Sequence, residues 1–228
     1  MTIPTPNRHA ARLVGLCFIA SFLSYGIGSS LVDAAAQSPD FPGNIPTLAN
    51  SIIAGGILIA IAHTVSNIAM PVIMWPILRH GSPRLAMAYL AMVIAATTIL
   101  ALGGTMLLGL PASTGATPDA AANVSATLLI NANTAAYHVG MALWSIAGLF
   151  FCVALVRANL LPRFLPVWGF AGYLLLLAGS VWELFGPNST VQLISVIPGG
   201  LFEVSLSLWL IIFGFSRKSP VSSERIVA

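Results

Sequence analysis

Four titratable side chains lie within or at the ends of long apolar stretches of the sequence: His63, His138, Glu183 and Glu203. A carboxyl group and an imidazole that meet in an apolar interior can share a proton or bind a small polar ligand. At the centre of a membrane helix an acidic residue costs about 2.5 to 3.5 kcal/mol on insertion scales, so it normally faces other helices and has a partner. Glu203 is therefore the strongest candidate for a functional group.

Helical spacing places further polar groups on the faces that carry these residues. Asn67 follows His63 by four residues, which puts both on one face of a helix. Counted at about 1.5 Å per residue from the nearest basic residue, Glu203 and His63 lie beyond the middle of the bilayer, in the half opposite the basic residues. We therefore expect an outward-facing intramembrane polar site with five candidate residues: Glu203, His63, His138, Asn67 and Glu183.

Each of these residues also has a purely structural interpretation. For Glu203 two interpretations remain: it is a titrating group in a pocket, or it is a protonated side chain that bridges helices. For His63 and His138 the bridging interpretation is favoured, because polar side chains commonly link membrane helices. Glu183 is interpreted as an interfacial carboxylate that lies in water near the outer face.

The sequence predicts no metal, cofactor or catalytic residues of a known type. Two histidines and a glutamate are chemically suitable for zinc. However, the chain has no His-Glu-x-x-His motif and no paired cysteines, since Cys17 and Cys152 stand alone in apolar segments. It also lacks a glycine-rich phosphate loop and a serine nucleophile elbow. An intramembrane enzyme that uses Glu203 with a histidine is the less favoured alternative.

The composition of the chain indicates the elements that must position these groups. Of the 228 residues, 57% are hydrophobic and 7% are charged, against roughly a quarter charged in soluble domains. Mean hydropathy is +0.94, so lipid is the expected solvent, and continuous apolar runs favour helices over barrel strands. The scattered basic residues exclude a nucleic-acid partner, which leaves membrane lipids and a small molecule as expected partners.

We predict an all-α fold: a polytopic transmembrane helix bundle that forms a single domain over residues 1–228. The second span contains Pro71 and Pro76 and is expected to kink or tilt near its end. The fourth span can begin earlier, near Asn131. The six membrane-spanning helices are predicted at residues 13–32, 52–78, 85–108, 135–156, 165–184 and 194–215.

The basic residues all fall on one side of this six-span arrangement, which predicts cytoplasmic N and C termini by the positive-inside rule. The opposite loops carry Asp33, Asp40 and Asp119. A cleaved signal peptide is the alternative for the first span, but its apolar stretch of about 20 residues exceeds the usual signal core. The basic residues are Arg8, Arg12, Arg79, Arg84, Arg157, Arg163, Arg217, Lys218 and Arg225.

Three stretches resemble a family of bacterial integral membrane proteins known as DUF4386. Residues 75–79 (Trp-Pro-Ile-Leu-Arg) with 85–89 (Leu-Ala-Met-Ala-Tyr) are similar to its junction of spans two and three. Residues 161–169 are similar to its entry into span five, and residues 198–203 (Pro-Gly-Gly-Leu-Phe-Glu), continuing to 215, to its last helix. The resemblance implies a bacterial inner-membrane protein and matches Glu203 to a family glutamate.

The chain departs from this family in its third span. Family members often carry an arginine and a glutamate there, whereas residues 91–96 read Ala-Met-Val-Ile-Ala-Ala. A function that depends on that pair is therefore not implied for this chain.

The first functional hypothesis is a membrane protein that binds or moves a small molecule or a proton through its polar pocket. The alternative is a structural or regulatory subunit that acts through protein or lipid partners. The sequence leaves the oligomeric state open.

Overall fold

The computed structural model describes residues 8–38, 45–113, 120–186 and 188–216. Within these ranges the chain forms helices and no β-strand, which confirms the all-α prediction. The helices are α1 (Arg8–Ala36), α2 (Ile45–Ile57), a π segment (Leu58–His63), α3 (Thr64–Leu78), α4 (Pro83–Leu108), α5 (Leu110–Ser113), α6 (Ala120–Ala158), α7 (Phe164–Glu183) and α8 (Ser189–Ile212).

Six helical stretches of the described residues are long and apolar enough to cross a membrane. One of them runs through α2, the π segment and α3 without a break. The protein is therefore a multi-pass membrane protein. The six stretches are Arg8–Ala36, Leu48–Leu78, Pro83–Leu108, Asn123–Ala158, Phe164–Glu183 and Thr190–Ile212.

All six predicted spans begin later than the helices that contain them, and the fourth and the sixth show why. The fourth was expected from residue 135, but α6 starts at Ala120 and has 39 residues, because its alanine-rich start favours helix despite the asparagines. The sixth was expected from residue 194, whereas α8 starts at Ser189. There the side chain of Asn188 accepts from the backbone N–H groups of Thr190 and Val191, at 3.1 and 3.2 Å, and caps the helix.

The second span departs from regular α-helix at its centre. The π segment Leu58–His63 lies between α2 and α3, and the helix continues through Pro71 and Pro76, where the sequence predicted a kink. A π turn holds more residues than an α turn, so it changes which side chains face the bundle. Such segments are frequent at functional sites, and this one ends at His63.

The six spans close into a ring. Consecutive spans pack against each other, with α4 against α6, α6 against α7 and α7 against α8, and α8 returns to pack against α1. Leu174, Leu175, Val65 and Leu208 expose 46 to 65% of their surface on the outside of this ring. Such an apolar exterior suits lipid contact, and the interior is left for the polar groups.

Close helix approach depends on glycine where α1 crosses α2. A Cβ on Gly55 would lie 2.6 Å from the carbonyl oxygen of Gly28, and a Cβ on Gly28 would lie 2.9 Å from that of Gly55. Small residues at such crossings let backbones approach, which favours packing in membranes.

The arginines of the described ranges lie at one end of the bundle. Arg8 donates to the carbonyl oxygen of Ile212 at 3.1 Å, so the start of α1 meets the end of α8. The N–H of Ser216 donates to the carbonyl oxygen of Leu160 at 2.7 Å, and the turn between α3 and α4 lies beside the end of α6. Five charged residues of the charge argument lie outside the described residues: Asp40, Asp119, Arg217, Lys218 and Arg225.

Candidate functional site

Glu203 of α8 is buried in the bundle interior and receives two hydrogen bonds on one oxygen. The indole N–H of Trp144 in α6 donates to Oε1 at 2.8 Å, and the hydroxyl of Tyr173 in α7 donates to the same atom at 2.7 Å. Among the described residues, Oε2 has no hydrogen-bond partner. The carboxyl group therefore links three helices through one oxygen and leaves the other free for a ligand, a proton or water.

Glycine at position 148 makes room for one of these donors. A Cβ on Gly148 would overlap the ring of Tyr173, which is fully buried between α6 and α7. The same ring lies edge-on to Phe202, with centroids 5.8 Å apart. These contacts hold the hydroxyl of Tyr173 toward Glu203.

A series of hydrogen-bonded side chains links the π segment to α1. The hydroxyl of Ser21 donates to Oδ1 of Asn67 at 2.7 Å, and Nδ2 of Asn67 lies 2.8 Å from Nε2 of His63. With this amide orientation Asn67 donates to His63, so Nε2 accepts and carries no proton, as in a neutral imidazole. His63 is thereby held in place by a residue of α3 that is itself held by α1.

Aromatic rings extend from His63 across the interior. The ring of Tyr25 lies edge-on to His63, with centroids 5.0 Å apart, and is 5.6 Å from the ring of Tyr137. Tyr137 in turn lies edge-on to its neighbour His138, at 5.2 Å. α1, the π segment and α6 therefore meet through their aromatic side chains.

These groups surround a cavity of about 190 Å³ near the middle of the bundle. All six spans contribute to its wall. The lining residues are Ser21, Phe22, Tyr25, Gly26, His63, Leu100, Tyr137, Met141, Trp144, Leu176, Val196, Gly199, Gly200 and Glu203.

The structure brings some of the five predicted site residues together at this cavity. Glu203 and His63 line it, and Asn67 holds His63 from behind. His138 is buried but does not belong to the lining. Glu183 is likewise outside it and is only 7% exposed, so its interpretation as a carboxylate in water is wrong. Its two oxygens accept from the backbone N–H of Asn188, at 3.2 and 3.0 Å, just before α8.

Sequence reasoning missed the two donors to Glu203. Trp144 and Tyr173 stand near the middle of their spans, away from the interfaces where such residues usually anchor a membrane protein. A buried indole N–H or phenol O–H needs a hydrogen-bond partner. Their depth was thus an available signal, although it does not identify the partner.

The site can hold a proton or a small ligand more readily than a metal ion. In the part of the chain that the structure describes, no group of three or more His, Cys, Asp or Glu side chains is placed to bind a metal. The lining instead combines one carboxyl group, one imidazole and several aromatic rings. Small-molecule sites commonly have such a wall, mostly apolar with a few placed polar groups.

Comparison with known proteins supplies a family but no activity. No curated protein and no solved structure matches the chain significantly. The model of the family described as "Domain of unknown function (DUF4386)" matches residues 13–214, which confirms the resemblance seen in the sequence, and the chain belongs to that family.

Proposed function

We propose that this membrane protein binds a small ligand in the cavity between its helices, at Glu203 and His63. One observation carries the proposal: a cavity lined by all six spans contains a carboxyl group with one oxygen unpaired among the described residues. Small-molecule sites combine a mostly apolar wall with a few placed polar groups, so a carboxyl group with an available oxygen in the wall of a cavity of ligand size favours binding.

The same carboxyl group connects binding to protonation. An ionised carboxylate away from water needs a compensating charge, and the described residues of the lining include no Lys or Arg. Glu203 is therefore neutral when the cavity is empty, unless a bound cation compensates it. This coupling is how the site binds, and can move, a small molecule or a proton.

A structural subunit is the second candidate, and one observation favours it. Oε1 of Glu203 already ties α6, α7 and α8 together, which is what interhelical bridging requires. The two functions differ in one property, because a binding site must be reachable from water and a bridge need not be.

We further propose a bacterial inner-membrane location with both termini in the cytoplasm and the cavity open to the outside. The described arginines share one end of the bundle, and basic residues concentrate on the cytoplasmic side of such proteins. In α8, Glu203 lies closer to the end that bears these arginines than to the Asn188 end, so the expectation that it lies in the half opposite the basic residues is wrong. Tyr137 and Gly26 extend the lining toward that opposite end, which supports an outward opening.

Cysteine labelling tests whether water reaches the cavity. Gly200 lines it and has room for a side chain, since its added Cβ would come no closer than 3.7 Å to Phe22. In a background with Cys17→Ala and Cys152→Ala, we expect the Gly200→Cys thiol to react with methyl methanethiosulfonate about tenfold faster than that of Leu201→Cys, because only a hydrated thiol ionises.

Leu201→Cys is the matched control, because Leu201 is the next residue and exposes 55% of its surface on the lipid side. Equal reaction rates for the two variants would rule out the binding proposal and favour the structural subunit.

A second labelling experiment tests the topology. Phe185→Cys, at a position 89% exposed, should react with an impermeant maleimide in intact bacteria, and Gly81→Cys only after permeabilisation. Labelling of both from one side would overturn the orientation.

A further inference from the structure

We infer that the ligand of this cavity is a small organic cation, an alkylammonium of about the size of choline, with Glu203 as its counter-ion. The inference rests on the proposed function and specifies its ligand class. Three properties of the cavity support this ligand class: the charges of its lining, its aromatic surface and its volume.

The charges of the lining leave a place for a cation. Glu203 is the acidic residue of the lining, and neither Lys nor Arg accompanies it among the described residues there. His63 is neutral in the arrangement in which its Nε2 accepts from Asn67 at 2.8 Å. Ionised Glu203 therefore obtains its compensating positive charge from the ligand.

The aromatic side chains of the lining suit a cation that carries alkyl groups. Phe22, Tyr25, Tyr137 and Trp144 all line the cavity with Glu203. The negative faces of aromatic rings attract ammonium groups, and rings grouped around a site are a known way to recognise quaternary ammonium ligands. A neutral ligand of the same shape gains only the apolar contacts.

An inorganic cation fits the wall less well. Calcium requires six to eight oxygen ligands and magnesium an octahedral set that usually includes waters. Among the lining residues that the structure describes, side-chain oxygens besides those of Glu203 come from Ser21, Tyr25 and Tyr137. Ser21 already donates to Asn67. The oxygen set is therefore too sparse for a hard metal ion.

The size of the cavity limits the ligand. An engineered apolar cavity of about 150 Å³ holds benzene, and the present one measures about 190 Å³. Choline and tetramethylammonium are of this order, whereas a larger hydrophobic cation requires the helices to separate.

A pair of isosteric ligands tests the charge requirement. Choline and its neutral carbon isostere, 3,3-dimethylbutan-1-ol, are titrated into the full chain in maltoside micelles at neutral pH, with binding measured by calorimetry. We expect choline to bind about tenfold or more tightly than the alcohol, and Glu203→Gln to remove this preference while both donors keep an oxygen acceptor. Equal binding of the two ligands, or an unchanged preference in Glu203→Gln, would overturn the inference.

A second pair of variants tests the aromatic wall. Tyr25→Phe keeps the ring and Tyr25→Leu removes it, so we expect choline affinity to stay within about twofold in the first and to fall several-fold in the second. Alcohol binding should change equally little in both. A choline affinity that is the same in Tyr25→Leu as in the parent would contradict the cation–π contribution.

Failure of this inference can be told from failure of the proposed function. If the Gly200→Cys thiol is reactive and choline shows no preference over the alcohol, the cavity is a site for some other ligand and only the cation is wrong. If that thiol is as unreactive as the lipid-facing control and choline does not bind, both the proposed function and this inference are wrong.

Discussion

Gly148 of α6 lies directly against the ring of Tyr173 on α7, with no space between them for a side chain. A Cβ on Gly148 would overlap atoms Cδ2, Cε2 and Cζ of that ring. This contact determines how far the ring extends toward α8, where its hydroxyl donates to Glu203 at 2.7 Å. Gly148 is thus a positioning residue for the intramembrane carboxyl group.

We expect Gly148→Ala to lower the free energy of unfolding by about 1 to 3 kcal/mol, because overpacking forces the neighbouring groups to shift. Tyr173 then loses its hydrogen bond to Glu203. Gly200→Ala is the control, since its Cβ would make only ordinary contacts, the nearest at 3.7 Å from Phe22. Reversible unfolding in mixed micelles measures both variants. Equal effects would show that Gly148 does not position Tyr173.

Glu203 is expected to tolerate glutamine better than alanine. Glu203→Ala leaves the N–H of Trp144 and the O–H of Tyr173 without their acceptor, at a cost of about 1 to 3 kcal/mol in unfolding free energy. Glu203→Gln keeps an oxygen for both donors and should cost less than about 1 kcal/mol. The same unfolding assay measures the free energies of unfolding of both variants. A glutamine variant as unstable as the alanine variant would mean that the two hydrogen bonds do not account for the stability.

The crossing of α1 and α2 is expected to depend on the absence of side chains at Gly28 and Gly55. An alanine at either position places its Cβ within 2.9 Å of the other glycine's carbonyl oxygen, so we expect thermal stability to fall in both single variants. Gly26→Ala, two residues along α1, is the control because no atom of the described residues lies within 4 Å of its added Cβ. If all three variants melt at the same temperature, the helices do not need this close approach.

Glu183 is expected to affect stability without affecting the ligand. Glu183→Ala removes the acceptor for the N–H of Asn188, and loss of such a contact at a helix start costs about 0.5 to 2 kcal/mol. Choline affinity should stay at the parent value, because Glu183 is outside the cavity lining. A large loss of choline affinity in a folded Glu183→Ala protein would place Glu183 in the binding machinery.

Most of the fold follows from the need to satisfy backbone hydrogen bonds inside a lipid bilayer. Apolar stretches long enough to span a bilayer must be helical to satisfy their backbones, so the number and order of the spans could be predicted. The start of α8 could not, since it depends on how Asn188 folds back to cap the helix. The continuity of α6 from Ala120 was not predicted, because the hydropathy of the fourth span falls at the asparagines that precede it.

The candidate site was predictable in its acid but not in its geometry. A carboxyl group within a span must face other helices, and this identifies Glu203 from sequence alone. The side chains that meet it, Trp144 and Tyr173, lie 59 and 30 residues away along the chain. Helical periodicity predicts which face of a helix turns inward, but it does not predict which helix packs against that face. The orientation of His63 also depends on the π segment, which the hydropathy pattern did not predict.

The packing of α8 against α1 has a consequence for the insertion of the protein into the membrane during synthesis. Chains emerge from the ribosome with their N-terminal parts first, so Trp144 and Tyr173 are inserted before α8 arrives. Glu203 then enters a membrane that already contains both of its hydrogen-bond donors, so its carboxyl group has partners as soon as α8 packs. The intramembrane carboxyl group therefore enters with the last of the six spans, at the step that completes the ring.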